Sequence, residues 1–333
     1  MHRAVKSSFK KLPLVRTLVA QRDAAAAELA ALQQRHAELE AAQGFVPAGH
    51  FYSPMPSRTE VTRDAERLFG PAPRNLPGID LAEDRQLELL TSFVEYYREL
   101  PFGPDRSDGL RYFYDNPAYS YSDAILLHCM IRHARPRRIV EIGSGYSSCM
   151  ILDTNDQHFG GRIETTFIEP YPELLESLLT DDDRPHTRIL PVRVQDVDLA
   201  EFTRLEADDI LFVDSTHVGK VGSDVNQIVM EILPRLAPGV YVHVHDIFHP
   251  FEYPRSWIEE GRGWNEAYLL RAFLQFNDAF EVVLMNTFMQ HFHEPFFASH
   301  MPLCLRNTGG SIWLRRRGTG PRPTAVHDDA GTL

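Results

Sequence analysis

The sequence predicts an α/β fold: a doubly wound, mostly parallel sheet of seven strands, preceded by an N-terminal helical extension. Three observations predict it. From Arg137 onward, short β-rich runs ("RRIVEIG", "IETTFIEP", "TRILPVRV", "DILFVDS", "GVYVHVHDI", "FEVVLMN", "GSIWLRR") alternate with helix-length or loop segments, the rhythm of βαβ units. The first run, "RRIVEIGSGYSS", passes from an apolar strand straight into two glycines one residue apart, as a strand–turn–helix junction does. Acids and histidines then stand at the carboxyl ends of successive runs, where an open sheet of this kind binds its ligand.

Bulk properties bound the function. A chain of 333 residues allows one large α/β domain with additions. A formal net charge of -12 argues against a nucleic-acid partner, because phosphate contacts need clustered Lys and Arg. Cys129, Cys149 and Cys304 are scattered with no C-x-x-C pair, so neither a disulfide framework nor a cysteine zinc site is expected, and a reducing cytoplasm fits. No apolar run approaches the ~20 residues of a membrane span.

Taken in order, residues 1–43 read as a basic and heptad-patterned helical extension. Arg3, Lys6, Lys10, Lys11, Arg16 and Arg22 precede the first acid, and Pro13 and Arg16 interrupt what would be the apolar core of a signal peptide. A solvated basic helix is expected there, with an anionic surface as the alternative partner. Leu18, Ala25, Leu32 and Leu39 recur at heptad spacing, but Arg22 and His36 fall at the partner positions, so a short coiled coil pairing two copies and a helix laid on the core both fit. Residues 44–121 form a Pro/Gly-rich linker and helical cap region. They hold "GHFYSPMPS", an aromatic group that could fold over a site, the amphipathic "DRQLELLTSFVEYYREL" ended by Pro101, and a tyrosine-rich stretch. Residues 122–317 carry the αβ alternation. The last two β-rich runs lack a long helix between them and are expected to pair antiparallel. Residues 318–333 read as a disordered tail.

The candidate site is built at the strand ends. Gly143 and Gly145 let the backbone turn tightly and approach a ligand, with Ser144 between them and Glu141 just before. "GSGYSS" lacks the third glycine of the dinucleotide fingerprint, which weakens that motif on its own. Glu169 closes the second run, where a carboxylate can accept from ribose hydroxyls. Asp196 follows the third and is placed to accept from a purine amine. The fourth run ends in Asp214 with His217 beyond it, and the fifth in His245 and Asp246. His243, inside a strand covered on both faces, is expected to be a core residue.

These residues resemble the class I S-adenosylmethionine-dependent methyltransferases. "VEIGSGYSS" is similar to their first motif, E/D-x-G-x-G. "DSTHVGKVGSDV" followed by "LPRLAPGVYVHVHDI" resembles a small-molecule branch similar to macrocin-type O-methyltransferases and cephalosporin hydroxylase-like proteins. The resemblance spans residues 124–317 and departs at Ser215, Thr216 and Val240. It implies a Rossmann-like methyltransferase core. Glu141, Gly143, Ser144 and Gly145 would lie near the methionine moiety of S-adenosyl-L-methionine, Glu169 on the ribose, Asp196 at the adenine, and Asp214 below the reacting centre.

Methyl transfer to a hydroxyl is an in-line displacement that needs the acceptor's proton removed. Two solutions fit. A divalent cation, Mg2+ by its oxygen-rich ligands, would be held by Asp214, Asp246 and His245, or by His217 in place of His245. Alternatively His217 or His245 is the base, with His249 behind them. The two carboxylates facing one site favour the cation. The aromatic segment from His249 to Trp264 is expected to form a substrate lid suited to a sugar or other small-molecule acceptor. His291, His293 and His300 near Glu294 lack the spacing of a helical zinc motif. Three other functions compete: a related oxygenase-like or N-methylating enzyme, a non-catalytic S-adenosylmethionine-binding partner protein, and a nicotinamide-dependent dehydrogenase.

Overall fold

The computed structural model describes residues 13–42, 44–184 and 187–318. The basic residues before Pro13 and the tail beyond Gly318 lie outside the described residues. The chain forms two compact units, residues 1–65 and 66–333.

In the first unit, helix α1 (Pro13–Ala42) is the long helix that its Ala, Leu, Glu and Gln content favours. Leu18 and Leu32 of the heptad pattern are exposed along it, as is Leu29 at a partner position. A second, short helix (Arg58–Arg63) starts where the Ser57 hydroxyl accepts from the Glu60 N–H at 3.4 Å. Between them His50, Phe51 and Tyr52 stack on one another, with centroids of successive rings 4.2 Å apart.

The second unit holds the sheet. Its helices and strands run α2 (Glu83–Arg98), α3 (Ser122–Ala134), β1 (Arg138–Ile142), α4 (Tyr146–Phe159), β2 (Glu164–Ile168), β3 (Arg188–Leu190), β4 (Ile210–Val213), β5 (Tyr241–His245), α5 (Glu266–Leu274), β6 (Phe280–Met285), α6 (Asn286–Phe292) and β7 (Ser311–Arg316), with shorter helices between. The seven strands lie in the order β3-β2-β1-β4-β5-β7-β6. β1 to β5 are parallel, with Ile142 level with Val213 and Ile168. β7 inserts between β5 and β6, antiparallel to both. The expected antiparallel pairing of the last two runs is therefore observed. The third run is a strand over three residues only, because Pro191 has no N–H to continue the ladder.

Every residue of β4 and β5 is buried, as a central strand covered on both faces requires. The core is continuous from Leu76 through Phe93, Tyr112, Phe167 and Phe212 to Trp313. Each such side chain contributes roughly 2 kcal/mol by leaving water. Helix α3 is buried along nearly its whole length and packs on α4. Among the described residues no helix is long and apolar enough to cross a membrane.

The order of strands matters for the site. From β1 the chain winds outward to β2 and β3, then returns to β4 on the other side of β1. At such a reversal a crevice is expected beyond the carboxyl ends of β1 and β4.

Candidate active site

The crevice is built first by Gly143. Its φ of 82° lies in the left-handed region, and a Cβ there would stand 1.7 Å from the backbone oxygen of Asp214. Only glycine lets the turns after β1 and β4 meet. Glu141, two residues earlier in β1, is fully buried and takes hydrogen bonds from the hydroxyls of Ser147 (2.5 Å) and Ser148 (2.7 Å) in the first turn of α4. Ser148 Oγ accepts in turn from the Gly145 N–H at 3.0 Å. Burial drives the Glu141 carboxyl up to about 8, against the two hydroxyls, which favour its charged form. Glu141 and Gly145 therefore brace the turn from below, and Gly143 forms the wall.

The cleft itself encloses about 350 Å3 and is lined by Ile142 and Gly143 at the end of β1, Ile168 to Tyr171 at the end of β2, Arg193 to Gln195 after β3, and Asp214 to Thr216 after β4. Lys220 and Gly222 to Asp224 complete it. Glu169 is oriented by two backbone donors, Ser144 N–H at 3.2 Å and Tyr171 N–H at 2.8 Å. The hydroxyls of Ser144 and Ser215 are buried without a hydrogen-bond partner, which is uncommon away from a ligand site.

Asp196 is placed differently from the expectation. It ends a short 3-10 turn (Val194–Asp196), is exposed, and pairs with the Arg193 guanidinium at 2.8 Å, which holds its carboxyl below the usual range. The neighbouring Gln195 faces the cleft instead and donates to the Gly222 carbonyl at 2.9 Å. The turn, rather than the residue type, decides which of the two side chains lines the wall.

At the mouth of the cleft three ligand-type side chains converge. Asp214, His217 and Asp246 each offer an atom, all within 4.8 Å of one another. His217 Nε2 lies 3.3 Å from Asp214 Oδ1 and 3.6 Å from Asp246 Oδ2. Its Nδ1 is 2.9 Å from Glu266 Oε2, at the first residue of α5. His217 (φ 60°) and Asp246 (φ 56°) are both in the left-handed region, a strain of order 1 kcal/mol each that functional sites often carry. Burial disfavours a charged His217 ring, but the hydrogen bonds to Asp214 and Glu266 outweigh it and raise the group to about 10. Burial likewise pushes the Asp214 carboxyl upward, but His245 and His217 more than offset this and hold it low. For Asp246 burial prevails and the carboxyl is raised.

His245 is not part of this group. It ends β5 buried against Tyr119, 5.1 Å between ring centroids, with its Nε2 3.6 Å from Asp246 Oδ1 and its Nδ1 without a partner. The left-handed backbone of Asp246 brings its carboxylate, rather than the His245 ring, to Asp214, so the third ligand-type atom comes from His217. His243 is the core residue expected, stacked 4.1 Å from Phe212 and edge-on to Trp313, its ring kept neutral by burial.

The aromatic segment after Asp246 packs rather than projects. Phe251 and Tyr253 are buried, Trp257 meets both Phe248 and Trp264, and the Arg262 guanidinium lies 4.2 Å and 5.0 Å from the Trp257 and Trp264 rings. Trp264 rests against His217, 4.4 Å between centroids. Beside it a cavity of about 330 Å3 is walled by Phe69, Pro71, Phe248, His249 and Tyr253. His293 bonds Glu83 at 2.6 Å, and the histidines of residues 291–300 form no three-ligand group among the described residues.

Residues 140–247, from β1 to the residue after Asp246, match a family profile described as "Methyltransferase domain". An uncharacterized protein of Archaeoglobus fulgidus is 38% identical over 170 residues, covering 49% of this chain and 75% of that protein. Among solved structures, the O-methyltransferase TomG from Streptomyces achromogenes, involved in tomaymycin synthesis and solved with SAM, is 18% identical, with 69% of this chain and 90% of that chain covered and a TM-score of 0.39. The SAH-bound methyltransferase PaMTH1 of Podospora anserina is 18% identical, with 79% and 96% covered and a TM-score of 0.39. With the profile lying on the very strands whose ends open the cleft, the chain belongs to the class I S-adenosylmethionine-dependent methyltransferases.

Proposed function

We propose that this methyltransferase acts on a hydroxyl oxygen of a small molecule, a sugar or another compact acceptor, and that Asp214, His217 and Asp246 form its reaction centre. One observation carries the reading: Asp214 belongs both to the lining of the cleft and to the three-residue group at its mouth. The residues suit S-adenosylmethionine. Glu169 offers a carboxylate for ribose hydroxyls, the glycine turn at Gly143 leaves no Cβ in the way, and the orphaned Ser144 and Ser215 hydroxyls await a polar partner. The cofactor supplies an electrophilic methyl group, so the chain's own work is to orient the acceptor and take its proton.

The reaction centre also suits a small divalent cation. Two carboxylates and an imidazole at one point are a hard, mainly oxygen donor set of the kind Mg2+ or Mn2+ accepts. Such an ion would act as a Lewis acid that lowers the pKa of the acceptor hydroxyl. Around it the roles of the protein are positional: Asp214 and Asp246 hold charge beneath the acceptor oxygen, His217 Nε2 stands between them, and Trp264 covers the ring from the side. Without a cation, His217 Nε2 can take the proton only once its own has left, and because Asp214 and Glu266 raise the ring to about 10 that route is open only toward alkaline pH. We further propose that α1 pairs two copies through its exposed leucines.

A panel of hydroxylated acceptors, incubated with the purified chain and labelled donor and read by mass, tests the reading. An O-methylated product is expected, with turnover reduced at least ~100-fold in Asp214→Asn. A product methylated on nitrogen, or an Asp214→Asn variant as active as the parent, contradicts it. Loss of turnover in EDTA, restored by Mg2+, supports the cation; full activity in EDTA removes it, and a rate that then climbs toward pH 10 and is lost in His217→Ala assigns the proton to His217.

A further inference from the structure

Glu266 is the least expected participant in the neighbourhood of the site. It is 49 residues from His217 in the chain and almost fully buried, at 1% exposure. A buried carboxylate is expensive unless its charge is used. Here its Oε2 lies 2.9 Å from His217 Nδ1. The same short segment grips residue 217 twice more. The backbone N–H groups of Asn265 and Glu266 both donate to the His217 carbonyl, at 3.0 and 3.1 Å, and the Trp264 ring lies against the imidazole. Asn265 adds a brace two residues on, its Oδ1 accepting from the Gly219 N–H. These contacts hold a histidine whose backbone is already in the left-handed region.

We propose that Glu266 is the positioning residue of the reaction centre: its carboxylate fixes the ring plane of His217 and keeps a proton on Nδ1, so that Nε2 is presented to Asp214 and Asp246. The inference rests on the reading of those three residues as the reaction centre. Its chemistry is general. A histidine that binds a cation or moves a proton through one ring nitrogen commonly has the other held by a carboxylate, which orients the ring and raises its basicity. The α5 start thus acts as a clamp on the loop after β4, and Trp264 is the part of the aromatic segment that reaches the chemistry.

The test uses the full chain and does not need the acceptor. Calorimetry with Mn2+ alone is performed on the parent, Glu266→Gln, Glu266→Asp and His217→Ala, with thermal melts to confirm folding. Glu266→Gln is expected to weaken Mn2+ binding by roughly 10- to 100-fold, Glu266→Asp by less, and both to bind S-adenosylhomocysteine within about twofold of the parent. In parallel, 15N-histidine NMR at one fixed pH, with His217→Ala identifying the His217 signals, is expected to show its Nδ1 resonance moved in Glu266→Gln. Equal Mn2+ affinity in parent and Glu266→Gln, while His217→Ala loses it, overturns the proposal. A parent that binds no Mn2+ removes the cation reading alone. The proposal then stands if the His217 Nδ1 signal moves in Glu266→Gln and falls if it does not.

Discussion

Glu141 lies near the end of β1 without access to solvent, and its two partners are serine hydroxyls. Its folded pKa, about 8, lies above the ordinary carboxylate value near 4.3. An acid whose folded pKa is raised keeps its proton better folded than unfolded. Its contribution to stability is therefore fully present below about pH 4 and is lost as pH rises toward 8. Glu141→Gln removes the titration while keeping an acceptor for the serines. The melting temperature of the variant relative to the parent should rise between pH 5 and pH 8 and level off above; a difference that stays flat from pH 5 to 8 contradicts the burial argument. A second residue-scale expectation concerns the third strand end. Because Asp196 faces Arg193 rather than the cleft, Asp196→Ala should leave S-adenosylhomocysteine affinity within about twofold of the parent. A tenfold loss would put Asp196 back at the adenine.

At the scale of elements, the segment before the sheet is pinned by one cation. Arg111 reaches Asp153 of α4 at 2.6 Å, Asp156 at 2.9 Å, and Asp183 through a two-pronged contact, while the Arg111 and Tyr112 N–H groups also donate to Asp153. Asp153 is nearly fully buried, so removing the guanidinium strands its charge. Arg111→Met should destabilise the second unit by about 3 kcal/mol, or roughly 6 to 12 °C in melting temperature; a drop under 2 °C would show the network to be ornamental.

The same scale separates what the sequence made legible. The strand ends were legible because an apolar run broken by glycine or by an acid is a local signal, and Gly143, Glu169 and Asp214 all stand where that signal places them. The choice between His217 and His245 was not. It depends on a left-handed turn at Asp246 that no residue type announces. Gln195 was overlooked because an acid beside it looked the better ligand, whereas the 3-10 turn aims the amide inward. Glu266 could not be read at all: it begins an ordinary amphipathic helix, and only tertiary packing carries it to His217.

For the whole molecule, two statements can be separated. The first unit contributes a long helix whose leucines at positions 18, 29 and 32 are exposed. If they join two copies, deleting residues 1–43 should halve the mass measured by light scattering, and an unchanged mass discards the pairing. The second unit carries the claim on which the chemistry depends, that carboxylates from separate strands meet on one rim around a donor nucleoside. Calorimetric titration of the full chain with S-adenosylhomocysteine tests it most directly. The account predicts one equivalent bound by the parent and an affinity at least about tenfold weaker in Glu169→Gln, the loss of a charged acceptor for two hydroxyls. No binding by the parent, or a Glu169→Gln variant that binds as the parent does, would contradict it.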